Sequence, residues 1–130
     1  MPDIEKLKEI IKELQKIMRI QDWNIGIELV SGYEMTKQGG ELDDEGLAYR
    51  DIRHNKAIIY LNKELVTDGW YYVIVHEMLH IQSTMIKFTA DSYFEHEHDY
   101  FNTVYEQYND NLSRMFISLY PVTNFIKEDK

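Results

Sequence analysis

The sequence has 130 residues, of which 44% are hydrophobic, enough for one domain with a buried core and too few for two. Its 23 acidic and 14 basic residues give a formal net charge of −9, which repels nucleic-acid phosphates, and no local basic patch offsets it. The absence of cysteine excludes disulfides, thiolate metal sites and cysteine nucleophiles. We therefore expect a single domain over residues 1–130 that does not bind nucleic acid.

Neither a signal peptide nor a membrane span is predicted. The first 20 residues alternate charged and aliphatic side chains, and the longest apolar run, Trp70–Val75, is far shorter than the roughly 20 residues that a span needs. The lack of cysteine also fits a reducing compartment. We expect a cytoplasmic protein without membrane contact, and the sequence does not predict its oligomeric state.

The first half of the chain predicts a helix followed by a small sheet. Asp3 can cap an amphipathic helix over residues 3–20, in which apolar residues recur every three or four positions. Residues 23–30 alternate as in a strand, and the glycine-rich acidic segment 38–46 predicts a loop. Residues 47–52 and 56–61 predict two strands joined by a hairpin turn.

The second half predicts two helices. Thr67 or Asp68 would cap a helix that extends to about residue 87, and a turn near 89–91 would lead to a long helix that ends near Tyr120. The apolar residues expected on the core face of this long helix are Phe94, Phe101, Tyr105, Tyr108, Leu112 and Leu119. Residues 121–130 are expected to be a polar tail. This order of elements predicts an α+β fold, in which a sheet of about three strands packs against helices.

An HExxH motif, His76-Glu77-Met78-Leu79-His80, lies within the second predicted helix. A spacing of four places the two imidazoles on one helix face, about 40° apart, so both can bind one Zn²⁺. Glu77 lies about 100° from His76, where it can take a proton from a water at the metal and pass it to a leaving amine. We predict His76 and His80 as zinc ligands and Glu77 as the general base and acid.

A catalytic zinc site of this kind needs a third protein ligand. The nearest candidates form the cluster Glu95-His96-Glu97-His98. With Phe101 taken as the reference on the core face, Glu97 lies near −40° and His98 near +60°, whereas Glu95 and His96 point toward solvent. We predict Glu97 as the third ligand and His98 as the second choice. His96 becomes a candidate again if the helix begins late.

Supporting residues are also expected around such a site. A ligating histidine usually donates its second nitrogen to a carboxylate or carbonyl, and Asp99 and Asp91 are the near candidates. A tyrosine that stabilises the developing oxyanion is also expected. Tyr93 and Tyr100 are nearest in sequence.

Together these features resemble the small zincin metallopeptidases, in particular SprT-like proteins and metallopeptidases encoded by phages and prophages. The resemblance rests on DWNI after the first helix, the strand Ala57–Leu61, IVHEMLHI and the acidic helix that follows, and it spans roughly residues 5–118. SprT-like members place a histidine ligand four residues before an aromatic, and both His96–Tyr100 and Glu97–Phe101 fit that spacing. The Glu97 version is similar to members with a glutamate ligand.

The resemblance implies a zincin-like fold and a peptidase function. By that resemblance, residues 57–61 would be an edge strand that binds a peptide or protein substrate by strand addition. SprT-like proteins often act on DNA-bound proteins, a role that the acidic charge does not support here. We therefore expect a zinc-dependent metallopeptidase. The alternative is a catalytically silent zincin-fold module that binds a protein, of phage or prophage origin.

Overall fold

The computed structural model describes residues 1–84 and 98–126, with side chains in the second range from residue 102 onward. The order of elements is α1 (Ile4–Met18), β1 (Asn24–Val30), α2 (Gly32–Lys37), β2 (Gly46–Asp51), β3 (Lys56–Asn62), α3 (Trp70–Gln82) and α4 (His98–Leu119). This is an α+β arrangement with a three-stranded sheet, an N-terminal helix and a long C-terminal helix, as the sequence predicts. Within the described residues, no helix is long and apolar enough to cross a membrane.

Helix α1 follows its sequence pattern closely. The side chain of Asp3 accepts a hydrogen bond from the backbone N–H of Lys6 at 2.9 Å, which satisfies one of the free donors at the helix start. The helix ends where Arg19 adopts a left-handed conformation, with φ at 59°. Its apolar stripe is buried, so the predicted cap and the predicted core face are both confirmed.

The sheet order is β1-β3-β2, with β1 parallel and β2 antiparallel to β3. The predicted hairpin is confirmed: β2 and β3 are joined by a 3-10 turn at Ile52–His54 and by Asn55 at a φ of 50°. The expectation that residues 57–61 form an edge strand is wrong, because β3 pairs on both sides and cannot accept a further strand. Ala57, Ile59, Tyr60 and Leu61 are all buried, which suits a central strand.

Helices α1 and α3 pack on one face of the sheet. Ala57, Ile59 and Leu61 of β3 point into this main core. The alternating residues Ile58 and Tyr60 point to the opposite face, where they meet Met35 of α2. No element is predicted over residues 31–37, whereas Ser31 caps the short helix α2 there by accepting from the N–H of Glu34.

Helix α3 is buried on nearly all sides, which explains its continuous apolar sequence. It begins later than predicted, at Trp70, and its N-cap residue Gly69 makes no side-chain cap. The expectation that Thr67 or Asp68 caps it is therefore wrong. The predicted turn near residues 89–91 lies outside the described residues.

Helix α4 ends at Leu119, close to the predicted Tyr120, but its core face is rotated from the predicted one. Tyr105 is buried as expected, whereas Tyr108 is 62% exposed and Leu119 68% exposed. The polar residues Asn109 and Ser113 are buried instead. The apolar periodicity of α4 predicts the wrong core face, because α4 packs against a polar part of α3.

The residues after α4 are not simply a polar tail. Val122–Asn124 form a 3-10 turn, and Phe125 packs against Tyr71, with ring centroids 5.8 Å apart. The hydroxyl of Tyr71 donates to the carbonyl of Tyr120 at 2.6 Å. The expectation of a polar tail is wrong for residues 122–126, because Val122, Phe125 and Ile126 contact the core.

Candidate metal centre

The two histidines of the HExxH motif converge as their spacing predicts. The Nε2 atoms of His76 and His80 are 3.2 Å apart, and the ring planes are inclined by 82°. A tetrahedral ion with metal–nitrogen bonds of about 2.0–2.1 Å needs a nitrogen separation of about 3.3 Å. The two imidazoles therefore already stand at a ligand-to-ligand distance.

Glu106 of α4 completes this group. Its Oε1 lies 3.5 Å from Nε2 of His80, and its Oε2 lies 3.7 Å from Nε2 of His76. One ligand atom from each of the three residues falls within 4.8 Å of the others, so the group could hold a metal ion. The Glu106 side chain is 52% exposed, whereas the two histidines are largely buried. The cluster is thus anchored in the core and open on the glutamate side.

Glu106 is not among the ligands that the sequence analysis names. Glu97 and His96 lie outside the described residues, and the side chain of His98 at the start of α4 is also outside them. The predicted candidates come only from residues 95–98, the cluster nearest to the HExxH motif, and Glu106 would lie about 140° from Phe101, away from the predicted core face. A usable signal was Glu106-x-x-x-Asp110, a pair of carboxylates at the same i, i+4 spacing as the histidines.

Asp110 lies next to Nδ1 of His76, the ring nitrogen that does not face His80 and Glu106. Its Oδ1 lies 3.2 Å from Nδ1 of His76 and accepts a hydrogen bond from the hydroxyl of Tyr72 at 3.0 Å. Among the described residues, this buried nitrogen makes no hydrogen bond. An imidazole that binds metal through Nε2 carries its proton on Nδ1, and a carboxylate at this distance is its usual partner. Of the predicted carboxylates, Asp91 and the side chain of Asp99 lie outside the described residues.

Glu77, which follows His76 on α3, faces the edge strand β2. Its side chain is 6% exposed and packs beneath Gly46, the first residue of β2. Burial raises the pKa of Glu77 to about 8, and the charges of Glu106 and Asp44 act in the same direction. The positive charge of Arg50 opposes them. Without a metal, this carboxyl holds its proton at neutral pH.

Tyr105 contacts His80 on the side away from His76. Its hydroxyl lies 3.4 Å from Nδ1 of His80 and forms a short hydrogen bond with the hydroxyl of Ser83. Burial raises the pKa of Tyr105. Of the predicted tyrosines, Tyr93 and the side chain of Tyr100 lie outside the described residues.

Comparisons of the chain with protein-family models, with curated proteins and with solved structures find no match. The fold and the His76–His80–Glu106 group therefore stand on the molecule's own geometry.

Proposed function

We propose that this protein is a zinc-dependent peptidase with a zincin-like site, similar to the SprT-like and phage-encoded metallopeptidases. One observation carries the proposal. His76, His80 and Glu106 converge on one point, and the buried Glu77, next to His76 in the chain, packs against the edge strand β2. The group lies on two helices packed against each other, which suits a preorganised site.

The residues fit zinc in number and type. Two imidazoles and one carboxylate form a ligand set that zinc accepts in catalytic sites, leaving a fourth position open. When bound, zinc supplies Lewis acidity, which polarises a carbonyl and lowers the pKa of water. The exposed side of Glu106 gives access to this position.

Glu77 handles the proton in this proposal. It accepts a proton from the attacking water and donates it to the nitrogen of the leaving amine. A carboxyl with an ordinary pKa is almost fully ionised at neutral pH and so is a weak proton donor. Burial raises the pKa of the Glu77 carboxyl to about 8. That value holds without a metal; a bound cation would lower the pKa and favour the carboxylate, the form that accepts a proton from water.

The edge strand for a substrate is β2 rather than β3. Asn62 donates its N–H to the carbonyl of Glu45 at 2.9 Å, so residues 45, 47, 49 and 51 carry the hydrogen bonds to β3. The N–H and C=O groups of Gly46, Ala48 and Arg50 therefore point to the free edge of the sheet. An extended peptide that pairs with them would run beside Glu77, as strand addition requires.

The test compares zinc content and peptide hydrolysis in four proteins: the wild type, Glu77→Gln, His80→Ala and the exposed control Glu28→Gln. The substrates are a mixture of quenched fluorescent peptides. We expect Glu77→Gln to keep zinc and lose at least about 99% of turnover, since general acid–base catalysis contributes 10²–10⁴-fold. His80→Ala should lose both zinc and turnover, and Glu28→Gln neither. A wild type that binds zinc but hydrolyses no peptide would contradict the peptidase and favour the silent binding module.

A further inference from the structure

His80 lies in the last turn of the helix that carries it. Helix α3 ends at Gln82, so His80 lies among its last four residues, whose carbonyls accept hydrogen bonds from groups beyond the helix. A terminal turn frays more readily than the middle of a helix. A metal ligand at this position needs support from outside the helix, because an imidazole that moves with a fraying turn cannot stay 3.2 Å from its partner.

Among the described residues, Arg50 and Thr84 supply such support. Arg50 donates from Nη1 to the carbonyl of His80 at 3.1 Å, and the hydroxyl of Thr84 donates to the same carbonyl at 3.0 Å. Arg50 Nη1 also lies 3.4 Å from that hydroxyl. A hydrogen bond from a charged guanidinium is stronger than a neutral one, and its positive charge is favourable at a helix C-terminus. Arg50 is thus the stronger of the two supports.

The backbone of β2 holds Arg50 in this orientation. Side chains alternate along the strand, so Ala48 points into the main core while Leu47 points to the opposite face. Arg50 therefore points to the α3 side as Ala48 does.

We propose that Arg50 is a positioning residue for the metal group. It links the edge strand β2 to the last turn of α3 and so keeps the His80 imidazole directed at His76 and Glu106. The inference rests on the metal site of the proposed function, although it does not require that the site hydrolyse peptides.

The experiment measures Zn²⁺ affinity by competition with a chelator, together with the visible absorption of bound Co²⁺, which reports coordination geometry. The variants are Arg50→Met, which keeps the apolar stem, Arg50→Lys, which keeps a charged donor, and the control Arg53→Met, an exposed arginine in the same hairpin. We expect Arg50→Met to weaken Zn²⁺ binding by about tenfold, the lower end of the effect of outer residues on metal sites, and to change the Co²⁺ spectrum. Arg50→Lys should recover part of the Zn²⁺ affinity and part of the wild-type Co²⁺ spectrum. Arg53→Met should resemble the wild type in both readouts.

A purely structural role for Arg50 gives a different result. Arg50→Met would then lower the melting temperature, while the folded variant kept the wild-type Zn²⁺ affinity and Co²⁺ spectrum, and this would overturn the proposal. If Arg50→Met does not fold, the comparison of Arg50→Lys and Thr84→Val with the wild type decides the question by the same two readouts. A wild type without Zn²⁺ affinity refutes the metal site itself, whereas zinc binding without hydrolysis refutes only the peptidase.

Discussion

Gly46 lets the edge strand β2 lie close to the HExxH helix. A Cβ at this position would lie 2.5 Å from Cγ1 of Val73, 3.4 Å from Cγ of Glu77 and 3.5 Å from the carbonyl oxygen of Tyr60. Carbon atoms are in favourable contact at about 3.5–4.0 Å, so the Val73 contact is short by at least about 1 Å. Val73 is buried and β-branched, and it cannot rotate away freely. The Gly46→Ala change must therefore displace β2 or α3, at a cost of about 1–3 kcal/mol.

The assay is urea unfolding of Gly46→Ala beside Gly26→Ala. Gly26 is a matched control, because it lies in the other edge strand and a Cβ there would meet no atom of the described residues within 4 Å. We expect Gly26→Ala to leave the free energy of unfolding unchanged or to raise it by about 0.5 kcal/mol, since alanine restricts the unfolded chain. Equal free energies of unfolding for the two variants would refute the close approach of β2 to α3.

Three further predictions concern Glu77, Asp110 and Tyr71. In chelator-treated protein, Glu77→Gln should raise the free energy of unfolding, measured by urea unfolding across pH. The pKa of Glu77 is raised from 4.5 to about 8, so ionisation of this buried carboxyl destabilises the folded wild type as the pH rises through that range. The gain from Gln should therefore be absent below pH 4.5 and reach at most about 5 kcal/mol above pH 8. Asp110→Asn should weaken Zn²⁺ binding by about 10–100-fold in chelator competition, because His76 loses its carboxylate; an unchanged affinity would argue against that support. Tyr71→Phe should lower the free energy of unfolding by about 1 kcal/mol in urea, since the carbonyl of Tyr120 loses its donor, and no change would mean that this hydrogen bond adds nothing.

Elements defined by local patterns were predicted correctly. Helix α1 carries its apolar stripe and its Asp3 cap within one segment, and the β2–β3 hairpin depends on neighbouring residues around a short turn. The i, i+4 spacing of His76 and His80 likewise fixes their convergence through helix geometry alone.

Features that depend on distant contacts were not predicted. The parallel pairing of β1 with β3 joins strands separated in sequence by α2 and β2, and it makes β3 the central strand. The apolar run Ala57–Leu61, with buried residues on both faces, was the available sign. Glu106 reaches the histidines because of the orientation in which α4 packs against α3. The face of α4 that contacts α3 includes the buried polar residues Asn109 and Ser113, so apolar periodicity does not identify it.

The assignment of Glu106 is the central claim about the site, and zinc content of tag-free protein by mass spectrometry tests it most directly. Glu106→Ala is compared with Gln107→Ala, the same substitution at the next, exposed position of α4. We predict about one zinc per chain in the wild type and in Gln107→Ala, and loss of zinc in Glu106→Ala, because a catalytic zinc site needs three protein ligands. Zinc retained at wild-type affinity in Glu106→Ala would contradict the account and return the third ligand to Glu97, His98 or His96.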